Sequence, residues 1–96
     1  MKVNVQSVKF DADQKLLDFI DAKADKLNRF FDKINSADVI LKISKDVDLG
    51  NKVVIVTLDV PGDKLVVEKQ SHSFEESYDN CIDALKKQLE KYKSKQ

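Results

Sequence analysis

The sequence predicts an α+β two-layer sandwich of order β-α-β-β-β-α: a four-stranded mixed sheet with both helices on one face. Three observations lead there. Two long stretches, residues 12–31 and 73–96, repeat apolar residues at helical spacing. Four shorter stretches alternate apolar and polar residues or are dense in β-branched ones. Turn residues separate the last two of these closely, which makes them a hairpin.

Lys2 to Val8 alternates, with Val3 and Val5 on one side and Asn4 and Gln6 on the other, as a half-buried strand does. Asp11 or Asp13 then caps a helix that runs from Ala12 to about Phe31. Leu16, Ile20, Leu27, Phe31 and Ile34 line its apolar face, with Leu17, Ala24 and Phe30 beside it, and Asn35-Ser36 ends the run. Asp38 to Ser44 is a second strand, with Val39, Leu41 and Ile43 inward. The polar stretch Lys45 to Asn51 leads to a third strand, Lys52 to Val60, whose inward set is Val54, Val56, Leu58 and Val60. Pro61-Gly62-Asp63 turns the chain into a fourth strand, Lys64 to Gln70. The first helix is long enough for strands one and two to lie parallel through a right-handed crossover, while strands two to four form an antiparallel meander.

The last helix is the most strongly patterned element. Phe74, Tyr78, Cys81, Ile82, Leu85, Leu89 and Tyr92 form one stripe, and Ser73 with Glu76 forms a capping box at its start. Both helices then cover one sheet face. The other face is left open, with Ile40, Val53, Ile55 and Val66 pointing outward. Outward apolar neighbours mark a contact surface, so weak self-association or a partner is expected there.

Composition narrows the function classes. The chain has 96 residues and no net formal charge, with 42% hydrophobic and 35% charged residues, as expected of one ordinary globular domain spanning residues 1–96. Cys81 is the only cysteine, which excludes an internal disulfide and fits a reducing compartment. The first ten residues hold no signal-like apolar core and no run suits a membrane, so a cytoplasmic location is expected. Catalysis and metal binding are poorly provided for. His72 is the single histidine and sits in a polar turn, and Cys81 lies on an apolar stripe rather than in the electropositive setting of a nucleophile. No glycine-rich phosphate loop, CxxC or HExxH is present. The expectation is a protein without catalytic residues, metal or cofactor.

The charges are sorted. Around the first helix, Lys15, Lys23, Lys26, Arg29 and Lys33 fall on one flank of the apolar stripe, and Asp18, Asp21, Asp25 and Asp32 fall on the other. Stabilising i, i+4 pairs would instead mix the signs along one line. In the last helix, Glu75, Glu76, Asp79 and Asp83 come early, while Lys86, Lys87, Lys91, Lys93 and Lys95 come late, with only Glu90 among them. The helix dipole favours that axial order, so a solvated tail explains the second pattern. It does not explain the lateral sorting in the first. Two basic helix edges above one sheet face would make a positive ridge suited to phosphate backbones. The meander followed by a helix is also similar to double-stranded-RNA-binding domains.

The residues also match a family. Phe19-Ile20 with Lys23, Lys26 and Leu27, then Phe31-Asp32-Lys33-Ile34-Asn35 leading into Val39-Ile40-Leu41-Lys42, carry the first half of the resemblance. Ser73-Phe74, Asp79, Asp83, Leu85 and Lys87-Gln88-Leu89 with Lys91 and Lys93 carry the second. In their order and spacing the chain resembles the short ribosome hibernation promoting factors, also called ribosome-associated inhibitor or sigma-54 modulation proteins. The resemblance implies the same β-α-β-β-β-α fold. It implies binding to the small ribosomal subunit, in the channel used by messenger and transfer RNA, with translation blocked during stress or stationary phase. It assigns ribosomal RNA contacts to Lys23, Lys26, Lys33, Lys87, Lys91 and Lys93. Geometry adds Arg29, Lys86 and Lys95. The chain departs from the family pattern at Glu75, where an aromatic is common, and at Ala84, where a lysine is frequent. The C-terminal dimerisation domain of long members is expected to be absent. A separate ribosome modulation factor, with which some short members act, is a further partner the resemblance allows. The rival expectation is a protein-interaction adaptor in transcription regulation that uses the open sheet face and binds no RNA.

Overall fold

The computed structural model describes residues 1–45, 48 and 50–94. The element order is β1 (Lys2–Ser7), α1 (Gln14–Phe30), β2 (Ser36–Ile43), β3 (Lys52–Val60), β4 (Asp63–Ser71) and α2 (Phe74–Ser94). The strands form one sheet in the order β1-β2-β3-β4. β1 and β2 are parallel; β2, β3 and β4 are antiparallel neighbours.

Local chemistry sets most of the boundaries. Asp13, rather than Asp11, caps α1: its carboxylate accepts from the Leu16 amide at 2.8 Å. Ser73 caps α2, its hydroxyl accepting from the Glu76 amide at 3.1 Å. β2 starts two residues earlier than the alternation suggested, because its neighbours recruit it. The Lys2 amide donates to the Asn35 carbonyl and the Asn35 amide to the Asp59 carbonyl, so Ser36 and Ala37 enter the ladder. The stretch between β2 and β3 ends at Gly50, with Asp46, Val47 and Leu49 outside the described residues. Gly50 is a steric necessity: φ is +82°, and a Cβ there would lie 2.2 Å from the backbone of Ser71.

The core lies between one sheet face and the helical layer. Val39, Leu41, Val54, Val56, Leu58 and Val60 meet Leu16, Ile20, Leu27, Tyr78, Leu85 and Leu89 there. Removing a side chain of that size from water contributes about 1.5–3 kcal/mol, which is why the period-two and period-3.6 patterns are so legible. α2 crosses β3 and β4, and α1 lies beside it. Cys81 is fully buried and unpaired, its thiol 3.4 Å from the Val54 carbonyl. Burial pushes that thiol up to about 11.

The open face differs from expectation at one position. Ile40 and Ile55 are half-buried and Val66 is 56% exposed, but Val53 is only 2% exposed. Val53 does not belong to the core cluster. Its cross-strand neighbours are Lys42 and Gln70, and the Gln70 amide is held on the Gly50 carbonyl at 2.6 Å. With Val53 buried, the open apolar stripe reduces to Ile40, Ile55 and Val66.

Candidate nucleic-acid interface

α1 and α2 run in the same direction. The Tyr78 hydroxyl donates to the Ile20 carbonyl at 3.0 Å, and one end further on Lys93 Nζ donates to the Phe30 carbonyl at 3.1 Å. Both helix C-termini therefore lie at one end of the molecule, whose long dimension is 40 Å. Parallel packing brings the cations of the two C-terminal turns to the same end. Arg29 lies in the last turn of α1 and Lys91 and Lys93 in the last turn of α2, while Glu75 and Glu76 open α2. Cations at helix C-termini also complement the backbone dipoles.

The nine basic residues singled out above do not form one row. Lys23 is tied down: its ammonium lies 3.2 Å from the Asp79 carboxylate and 5.5 Å from the Phe19 ring centroid. The pair is partly exposed, at 33% and 45% for the two side chains, so the bridge is weak, but it reduces what Lys23 offers an outside anion. Lys26, Arg29 and Lys33 are exposed. Arg29 and Lys33 border a cleft with Phe30, Phe31, Asp32 and Lys93. On α2, Lys91 borders a different cleft with Asp63, Leu65, Gln88 and Tyr92, over the β3–β4 turn. Lys91 and Lys93 are two residues apart, about 200° around the helix, so they serve opposite flanks. By the same period Lys86 shares the flank of Lys93, toward α1, and Lys87 that of Lys91. Lys95 lies outside the described residues.

The basic surface is therefore an end of the helical layer with two flanks, rather than a straight ridge. Sequence reading missed Asp79 as the partner of Lys23, because which helix flanks face each other is a tertiary fact. It also missed a second role of Phe30, which packs against the core as the apolar pattern implied and also lies 4.4 Å from the Lys93 ammonium.

Other chemistry is structural. Tyr78 is buried, with desolvation first and the Asp21 charge second holding its hydroxyl protonated. The Tyr92 hydroxyl donates to the Pro61 carbonyl, and its ring meets Phe31 edge-on at 5.7 Å. His72 is exposed. Among the described residues, no three His, Cys, Asp or Glu side chains are grouped to hold a metal ion. Nor is any helix among them long and apolar enough to cross a membrane.

Over nearly its whole length the chain is similar to proteins of one family. Residues 3–96 match the family described as sigma-54 modulation protein / S30EA ribosomal protein. A ribosome hibernation promoting factor of Pseudomonas putida is 33% identical over 96 residues, covering 100% of this chain and 90% of that protein. One from Escherichia coli K12 is 30% identical over 95 residues, covering 99% and 96%. The structure of a ribosomal subunit interface protein from Coxiella burnetii superposes with a TM-score of 0.84 at 25% identity, covering 98% of this chain and 99% of that one. The N-terminal domain of Thermus thermophilus Protein Y shares the fold, with a TM-score of 0.81 at 19% identity over 96% and 99% of the two chains.

Proposed function

Because this chain belongs to the sigma-54 modulation protein / S30EA ribosomal protein family, we propose that it is a ribosome-binding translation inhibitor. In this reading it occupies the messenger and transfer RNA channel of the small subunit and promotes hibernation under stress or in stationary phase, without catalysing a reaction. The observation that carries it is the parallel pairing of the helices, which concentrates cations at one end of a chain with zero net charge. Lys26, Arg29, Lys33, Lys86, Lys87 and Lys91 are the proposed phosphate contacts, with Lys23 weakened by Asp79. Phosphate contacts fix position and read little sequence, which suits a protein that plugs a channel.

The adaptor reading needs a broad apolar open face. Three side chains, Ile40, Ile55 and Val66, fall far short of the roughly 800 Å² per partner of a stable interface. Sedimentation on a sucrose gradient tests the proposal. Co-migration with small subunits at low salt, lost at high salt, is expected. A protein that stays at the top of the gradient at every salt concentration contradicts it.

A further inference from the structure

Among the described residues, Lys93 is the one late lysine whose ammonium is engaged three ways. It donates to the Phe30 carbonyl at 3.1 Å and lies 4.4 Å and 5.5 Å from the ring centroids of Phe30 and Phe31. The place it occupies is the C-terminus of α1, where the last carbonyls have no partner within the helix. Helices commonly solve this with a glycine or asparagine in the left-handed region just past the end. α1 has no such device. It leaves through Phe31 at φ −147°, in extended backbone, and no residue from Phe31 to Asn35 takes a positive φ. The Phe31 amide closes on the Leu27 carbonyl, and the Phe30 carbonyl is served from the neighbouring helix.

We infer that Lys93 is a positioning residue, a cap that α2 lends to α1, and not one of the phosphate ligands. The inference rests on the ribosome-binding reading for its functional half. Arg29 and Lys33 sit on either side of Phe30-Phe31, and all four border the same cleft. Fastening that corner to the last turn of α2 fixes where these two cations stand relative to the α2 lysines. Tyr92 strengthens the joint, since the same turn of α2 meets the Phe31 ring and is bonded to Pro61. The ammonium carries the right charge for the carbonyl end of a helix dipole, and the rings favour a cation over a neutral group.

The two roles separate in a salt titration. Lys93→Met should lower the melting temperature of the free protein by about 3–6 °C, as expected for losing one cap in a domain of this size. It should weaken small-subunit binding per folded molecule severalfold and leave the slope of log affinity against log salt unchanged. Lys93→Arg, which keeps the charge, a donor and ring stacking, should restore both. Arg29→Met is the calibration: it removes a proposed phosphate contact and should make the slope shallower by roughly 0.7–0.9. In NMR spectra of the free wild type, the Lys93 side-chain methylenes beside the ammonium should be shifted upfield by the two rings. A Lys93→Met variant with unchanged melting temperature and a slope as shallow as that of Arg29→Met makes Lys93 a phosphate ligand and overturns the inference. A destabilised variant with undiminished affinity overturns the positioning half. If the wild type binds no small subunit, the functional reading falls, while the melting and NMR results still decide the cap.

Discussion

The two outer surfaces of this small sandwich make a useful contrast. The exposed side of the helical layer is crowded with charge, sorted by sign along α2 and across α1. The open sheet face carries Asp38, Asp59 and Glu68 against Lys2, Lys42 and Lys64 around three apolar side chains, with no sign dominating. Both faces flank the same core, and neither pattern is needed to fold it. Folding explains which residues are buried. It does not explain lateral segregation of charge, which is what a polyanion would select.

Breaking the charged surface should give the largest effect. Lys26→Glu with Arg29→Glu should leave the fold intact and weaken small-subunit binding on the order of 100-fold at low salt, with a shallower salt slope. Equilibrium binding to purified subunits at several salt concentrations measures both.

Changes beneath either surface should act on stability and leave binding by folded protein alone. Gly50→Ala forces a Cβ against the Ser71 backbone at a positive φ and should cost about 2–4 kcal/mol in denaturant unfolding. Ser77→Ala should cost about 1–2 kcal/mol. The Ser77 hydroxyl donates to the Lys52 carbonyl at 2.6 Å, and Ser71 divides its single proton between Ser77 and the Ser73 carbonyl. Removing Ser77 takes this donor from the part-buried Lys52 carbonyl.

Cys81 gives a pH signature. Its folded value is about 11 against an ordinary 9.0, so the folded state holds the proton more tightly. Its contribution is fully present below about pH 9 and is lost as pH rises through about 11. Cys81→Ala should flatten part of that decline, and native Cys81 should react slowly with a maleimide at neutral pH. Rapid labelling would show that the α2 stripe is not closed over the sheet.

The smallest effect belongs to the open face. Weak self-association through Ile40, Ile55 and Val66 should appear in analytical ultracentrifugation only at high concentration, and Ile55→Lys should remove it with little change in stability. A strictly monomeric wild type at all concentrations leaves that face without a role in self-association.

How much of this was readable from sequence depends on which force set each feature. Most strand phases and both helix faces were legible because burial imposes a period on the chain, and Val54, Val56 and Leu58 fell where alternation put them; Ile43, which alternation also placed inward, is 51% exposed because it ends β2 beyond the edge of the core. Capping chemistry was half legible: Ser73 was unambiguous, whereas Asp13 and Asp11 competed. Val53 was misjudged because its burial depends on its cross-strand neighbours, Lys42 and Gln70, and which residues stand opposite is not encoded in a period. Ser77 was passed over although it sits next to Tyr78 and one turn before Cys81, a position whose burial the stripe already implied. The basic residues were legible as types. That Lys23 and Lys93 are engaged within the fold was not, since it follows from which flanks of two distant helices meet.

The central claim is that the placement of cations on the helical layer, rather than total charge, governs ribosome binding. The most direct measurement adds Asp21→Lys and Asp25→Lys to the Lys26→Glu, Arg29→Glu variant, which returns the net charge to zero on the opposite flank of α1. Small-subunit affinity of this four-site variant should stay as low as that of the double variant. Recovery to wild-type affinity would mean that net charge sets binding and that the sorted helix edges do not.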